Sequence, residues 1–270
     1  MRQPHFPSWL QIGPTEGNTV TARGSGKKEA FRGFPPDGLQ FLKQLKRNNN
    51  RPWFQSHKDD YEKYVKLPTQ ELVVRIGEAF RRFAPEMVAD PKISVYRIYR
   101  DTRFSRDKTP YKTHTAAVFP VRGLPKNSGP GLYFHISPEE VLVGGGIYMP
   151  DPALLRAVRE HIAAQPRKFI DIVEGRAFRK AFGELEGEQL QSMPKGFSAD
   201  HTAASYLRYK QFLFGELYPA RIAVTPRLLP TILDCFEKGM PLIRFLKEPA
   251  ARAVSSSDQK RSMVAESIFV

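Results

Sequence analysis

Between residues 93 and 148 the hydrophobic period of the chain switches from helical to extended, and that switch limits the folds open to it. Ile93–Tyr99, Thr113–Val121, Gly131–Ser137 and Val141–Tyr148 are rich in β-branched and aromatic residues, with turn residues between them. Their connections are short, and short connections favour antiparallel neighbours. Ser137-Pro-Glu-Glu140 reads as a four-residue hairpin loop with proline at its second position. That register pairs Ile136 with Val141, Phe134 with Val143 and Tyr133 with Gly144. Leu132, Phe134, Ile136, Val141 and Val143 then share one face of the sheet. Tyr133, His135, Leu142, Gly144 and Gly146 share the other.

Helical periodicity brackets this region. Leu39, Phe41, Leu42 and Leu45 form a stripe that ends at Asn48-Asn49-Asn50, and a second helix is expected to carry Trp53, Phe54, Tyr61 and Tyr64. Pro68 suits a first helical turn ahead of Leu72, Ile76, Ala79, Phe80 and Phe83. Beyond the strands, Asp151 and Pro152 make an N-cap and first turn for Leu154, Leu155, Val158 and Ile162. Pro166 opens a further helix, and a long last helix contains Leu233, Phe236, Met240, Ile243 and Leu246. Tyr206–Leu213 is expected as a fifth strand. The pattern predicts an α+β fold in one domain, with a mostly antiparallel sheet of four to five strands packed by N- and C-terminal helices. Residues 1–33 read as a disordered tail, 34–248 as the domain, and 249–270 as a polar tail.

The chain carries a formal charge of +14 over 270 residues. From Lys92 to Lys126, nine basic residues face only Asp101 and Asp107, so this segment alone nets +7. Its centre is Arg100-Asp-Thr-Arg-Phe-Ser-Arg-Asp-Lys-Thr-Pro-Tyr-Lys-Thr-His114. Arginine presents a planar fork to phosphate or carboxylate, lysine a movable charge, and Ser105, Thr109 and Tyr111 neutral donors. Arg97, Arg100, Arg103, Lys108, Lys112 and Lys210 are the candidate anion-binding residues, with Asp101 orienting an arginine. The competing expectation is a self-satisfied loop, its aspartates paired with arginines and Phe104 and Tyr111 pinning it to the core. Gly144, Gly145 and Gly146 beside Tyr133 and His135 leave room over the sheet, either as a pocket floor or for another helix. His114 and His135 fall in neighbouring strands and, with Tyr111, are the candidate proton-transfer groups.

Other chemistries lack their signatures. There is no HExxH pair, no phosphate-loop spacing, no GxSxG elbow and no kinase motif. No metal ligand set or nucleotide motif is expected, and no cofactor is indicated. One cysteine, Cys235, allows no disulfide within the chain and fits a reducing compartment. With no apolar run of spanning length and no secretory h-region, the expected location is the cytoplasm, away from membranes. An anionic small molecule is the expected partner. The alternatives are a nucleic acid held by its backbone, since charge alone supports that reading, or a non-catalytic protein-interaction role.

Asn48-Asn-Asn-Arg-Pro-Trp-Phe54, the run Arg97–His114, Gly144-Gly-Gly-Ile-Tyr-Met-Pro150 and Pro194-Lys-Gly-Phe197 occur in that order. Asp200-His201, Tyr209-Lys210, Pro241-Leu242 and Phe245-Leu246 follow. Together they closely resemble the uncharacterised family termed domain of unknown function 2461, over about Phe34 to Lys247. The resemblance implies a single domain and brings no activity. Its motif positions fall on Arg97, Arg100, Asp101, Arg103, Lys108, Tyr111, Lys112, the glycine triplet, Lys195 and Lys210.

Overall fold

The computed structural model describes residues 31–103 and 105–267, with side chains through Ser255. The expected N-terminal tail up to Ala30 therefore lies outside the described residues, as does Phe104. Helix α1 (Pro36–Arg47) opens on a proline and stops at Asn48, whose backbone N–H donates to the carbonyls of Gln44 and Leu45. Asn50 caps α2 (Arg51–Ser56) by accepting from the Trp53 N–H at 3.0 Å. A short α3 (Lys58–Tyr61) and a π-helical turn over Glu62–Lys66 lead into α4 (Leu67–Phe83). The inner stripe of α4 is Thr69, Leu72, Val73, Ile76, Ala79 and Phe80, all buried, as its 3.6-residue period requires.

The first departure from the sequence expectation follows. Asp90 accepts from the Lys92 N–H at 2.8 Å, and Pro91 occupies the first helical position, so residues 91–94 form the helical turn α5 (Pro91–Ser94) instead of a strand. What remains of the expected strand makes only isolated antiparallel bridges, Val95 with Ala117 and Tyr99 with Tyr111. The regular strands are β1 (Thr115–Pro120), β2 (Gly131–Ile136) and β3 (Glu140–Ile147). Ser137 closes the β2–β3 hairpin: its N–H donates to the Glu140 carbonyl at 2.9 Å, and its Oγ accepts from the N–H groups of Glu139 and Glu140. Leu132, Phe134, Ile136, Val141 and Val143 are completely buried, as the alternation predicts.

Helices α6 (Pro152–Ala164), α7 (Pro166–Val173) and α8 (Arg176–Phe182) come next, the first capped by the Asp151 carboxylate. The segment expected as a fifth strand divides. Residues 204–207 form the helical turn α9 (Ala204–Leu207), and β4 (Phe212–Pro219) starts only at Phe212. The four strands form one sheet in the order β1-β2-β3-β4. Helix α10 (Leu228–Ser267) continues through Pro241 and Pro249, past the point where a polar tail was expected to begin. Cys235 is buried on it. Among the described residues, no helix is long and apolar enough to cross a membrane.

The architecture is α+β with an antiparallel sheet, and it comprises two compact units. The first takes in the described part of Met1–Phe119, with Tyr133–Val143 and Leu217–Asp234. Phe41, Trp53, Phe54, Tyr61, Tyr99 and Tyr111 form a continuous aromatic cluster inside it. The second comprises Pro120–Leu132, Gly144–Glu216 and Cys235–Val270. There Phe178 and Phe182 of α8 pack on Phe214 of β4, with the Phe182 and Phe214 ring centroids 4.7 Å apart.

Candidate functional site

In the first unit, residues 95–103 and 105–116 fold as an irregular antiparallel ribbon. Tyr96 N–H donates to the Ala116 carbonyl, Arg100 N–H to Pro110 and Lys112 N–H to Ile98, at 2.8 to 2.9 Å. The charged tip, residues 101–103 and 105–109, hangs from this ribbon. Asn49 clamps it from 62 residues away: its amide donates to the Tyr111 carbonyl at 2.9 Å and accepts from the Tyr111 N–H at 3.0 Å. The triplet Asn48-Asn49-Asn50 thus divides three tasks, a helix stop, a ribbon clamp and a helix start. Tyr111 roots the ribbon in the core, its ring stacked on Phe54 at 4.1 Å and 18° and tilted against Tyr99. Those ring contacts make the Tyr111 side chain part of the ribbon's support.

Within the tip each aspartate holds an arginine. Asp101 accepts from Arg103 Nε at 3.0 Å, a terminal nitrogen of the same guanidinium at 2.7 Å and the Arg103 N–H at 3.2 Å. These bonds bring the Asp101 carboxyl down to about 2. Asp107 accepts from the Thr109 N–H at 2.9 Å, from Arg100 and from the Thr109 hydroxyl, and it too lies at about 2. Lys108 Nζ donates to the Thr102 carbonyl at 2.9 Å, and Lys112 Nζ to the Arg97 carbonyl at 3.1 Å. Arg97 and Arg106 are exposed and make no ion pair among the described residues. From Arg97 to Lys112, six cations face two carboxylates, which leaves a net +4 after internal pairing.

The ribbon joins the sheet face through a line of side chains. Lys112 Nζ sits 5.1 Å over the Tyr96 ring. The Tyr96 ring lies 6.4 Å from that of Tyr133, whose hydroxyl is 3.4 Å from His135 Nδ1. The His135 and His114 rings are 5.4 Å apart. Both histidines are buried, and burial dominates their chemistry. It lowers His135 to about 4, although Glu140 Oε1 lies 3.7 Å from its Nε2. Burial also holds His114 well below its ordinary value, with His135, Lys112 and Arg100 adding to the effect. Both rings are therefore neutral at pH 7, each with one donor and one acceptor nitrogen. An anion bound beside them would raise their proton affinity, which is the setting for proton transfer to or from an anionic substrate.

The other expected site residues lie in the second unit, where local contacts account for them. Lys210 Nζ pairs with Glu188 Oε2 at 3.0 Å, and its N–H donates to the Glu188 carbonyl at 2.7 Å. The adjacent strand β4 crowds Gly144 and Gly146: a Cβ on either would collide with the carbonyl oxygen of Phe214 or Phe212. Gly145 is likewise closely packed, against Gly131 and Phe214. Lys195 is exposed in the turn at Gly196. Asn49, Tyr96 and Glu140 belong to the site region although no sequence motif singled out their role.

Fold and site together define an α+β protein that presents a basic, internally braced ribbon beside a buried histidine pair. The chain belongs to the family described as conserved hypothetical protein (DUF2461), which matches residues 37–245. No match was found among curated proteins or among solved structures.

Proposed function

We propose that the ribbon and the adjoining sheet face of the first unit bind a small molecule carrying a phosphate or carboxylate. The observation that carries this reading is the unbroken line Lys112–Tyr96–Tyr133–His135–His114, which runs from the cationic ribbon to two neutral imidazoles. Arg97 and Lys112 would hold the anion, Arg106 and Lys108 would add to the attracting field, and Asp101 would keep Arg103 in place. Tyr133 would face the bound group. His135 and His114 would supply the proton-transfer groups if the bound molecule reacts. The internal pairs do not defeat the reading, because the acids in the tip are exhausted by Arg100 and Arg103 while cations remain in excess. A small ligand also suits this placement better than a nucleic acid, because the line ends in a buried pair instead of continuing as an exposed stripe.

A thermal-shift screen with inorganic phosphate, phosphate monoesters and dicarboxylates at constant ionic strength tests the proposal. A saturable rise in Tm is expected for at least one of these anions. Lys112→Gln should weaken that binding about tenfold or more, since a hydrogen bond to a charged group contributes about 1.5–3 kcal/mol. Lys46→Gln removes the same charge from an exposed pair with Glu139 and serves as the matched control, expected to change little. Equal weakening by the two substitutions would reduce the effect to net charge and overturn the site. Steeply salt-dependent polynucleotide binding lost in Lys112→Gln would overturn it in favour of a nucleic-acid ligand.

A further inference from the structure

The second unit contains a cavity of about 180 Å³ that takes no part in the anion reading. Glu174, Arg179, Glu184, Gln189, Tyr206 and Tyr209 line it. The two tyrosine rings lie nearly parallel, with centroids 6.2 Å apart and planes at 21°. Glu174 is fixed from two sides, by the Tyr206 hydroxyl at 2.6 Å and by Arg179 at 3.1 Å. Arg179 is thereby already engaged by a carboxylate. Glu184 is exposed and makes no ion pair among the described residues, while its charge acts on Tyr209, as does that of Glu186. Residues 183–193 hold three glutamates and no basic residue, in a chain whose net charge is +14.

The field in this cavity therefore runs against that of the chain as a whole. An anion entering it meets Glu174 and Glu184 with a single, already paired arginine to receive it. A cation meets an available carboxylate and two aromatic side chains, both of which favour positive charge. Burial and Glu174 together hold the Tyr206 phenol above its ordinary range, so it stays a neutral donor to Glu174. The volume falls below the roughly 300–1,000 Å³ of sites for drug-sized ligands. It suits a compact group on a short chain. We infer that this cavity binds a small organic cation, an alkylammonium or alkylguanidinium, seated against Tyr206 and Tyr209 and paired with Glu184.

Amide NMR titration of the full chain with n-butylammonium, n-butylguanidinium, n-butanol and butyrate tests this, since the four probes share a chain and differ in head-group charge. Saturable shifts confined to the amides around Gly183, Ser205 and Tyr206 are expected with the two cations. Shifts of equal size and affinity with n-butanol, or no saturable shift with either cation, would overturn the inference. Glu184→Gln, an exposed substitution that leaves the cavity wall in place, should weaken the cations about tenfold; unchanged affinity would overturn the pairing. Lys112→Gln should bind n-butylammonium as the unsubstituted chain does. Failure of the anion site and failure of this one are then read separately.

Discussion

Gly146→Ala is expected to lower the stability of the fold by about 2–6 kcal/mol. Two independent costs fall on this position. Its φ of +124° lies where a Cβ is strained, a cost of about 1–3 kcal/mol. In addition, the new Cβ would be driven into the Phe212 carbonyl oxygen and the Leu213 backbone of the adjacent strand. Backbone cannot rotate out of the way as a side-chain tip can, so β3 and β4 would have to separate locally and lose ladder hydrogen bonds. Overpacking of this kind costs about 1–3 kcal/mol or more, and the two together, about 2–6 kcal/mol, are comparable with the lower end of the roughly 5–15 kcal/mol by which a domain is stable. Two further substitutions separate the terms. Gly196→Ala has the unfavourable φ, +93°, with no atom within 4 Å of the new Cβ. Gly144→Ala meets the Phe214 carbonyl oxygen without a positive φ. Urea midpoints should fall in the order Gly196→Ala, Gly144→Ala, Gly146→Ala, from mildest to most severe. If Gly146→Ala loses no more stability than Gly196→Ala, β4 does not pack on the glycine strand as described.

That outcome bears on how far the sequence discloses the molecule. The hairpin at Ser137–Glu140 was legible because proline, a polar loop and clean alternation all agree on one register. The α4 stripe was legible for the same reason. What escaped depended on partners distant in the chain or on local capping. Asp90 and Pro91 turn the start of a β-rich stretch into α5, because a side-chain cap on a helical turn outweighs the preference of Ile93, while Val95 stays extended. Helix α8, seven residues between Gly175 and Gly183, is too short to declare a period. Helix α10 runs through Pro241, as its stripe from Leu233 to Leu246 requires, and continues past Pro249, where the sequence pattern was expected to give way to a tail. In the site, charge density alone located the ribbon. Nothing in the local pattern ties Asn49 to Tyr111, or Tyr96 to Tyr133, since such contacts join residues that share no period. The glycine triplet illustrates the opposite difficulty: one pattern allowed an open floor or a packed helix, and what crowds Gly144 and Gly146 is the backbone of strand β4.

Stability is expected to fall on the acid side by about 3 kcal/mol between pH 6.5 and pH 4, through His135 alone. Its ring titrates near 6.5 in an unfolded chain and at about 4 in the fold. Below 6.5 the unfolded chain takes up the proton first, so the stability present above that pH is lost as the pH drops through the folded value. His114 is displaced in the same direction and enlarges the loss. The charged groups around the pair reinforce the assignment: Lys112 and Arg100 disfavour a second positive charge at His114, and half-exposed Glu140 at 3.7 Å is too distant from His135 to offset burial. One carboxyl works against them. Burial, helped by Glu216, raises Glu186 to about 7; its contribution to stability is full below 4.5 and disappears as the pH rises through 7, so acidification restores it. The measurement is therefore best made in a Glu186→Gln background, comparing urea unfolding at pH 7 and pH 4 with and without His114→Asn and His135→Asn. The histidine double variant should start less stable at pH 7, where it loses packing, and should show a much flatter acid limb. Equal slopes in the two proteins would mean that the rings are not held neutral by burial, and the proton-transfer role proposed for them would fall with it. An anion seated against the ribbon should also flatten the limb in the histidine-bearing protein, because negative charge beside the rings raises their proton affinity. A screening hit that raises Tm at pH 7 without changing that slope binds somewhere other than beside His114 and His135.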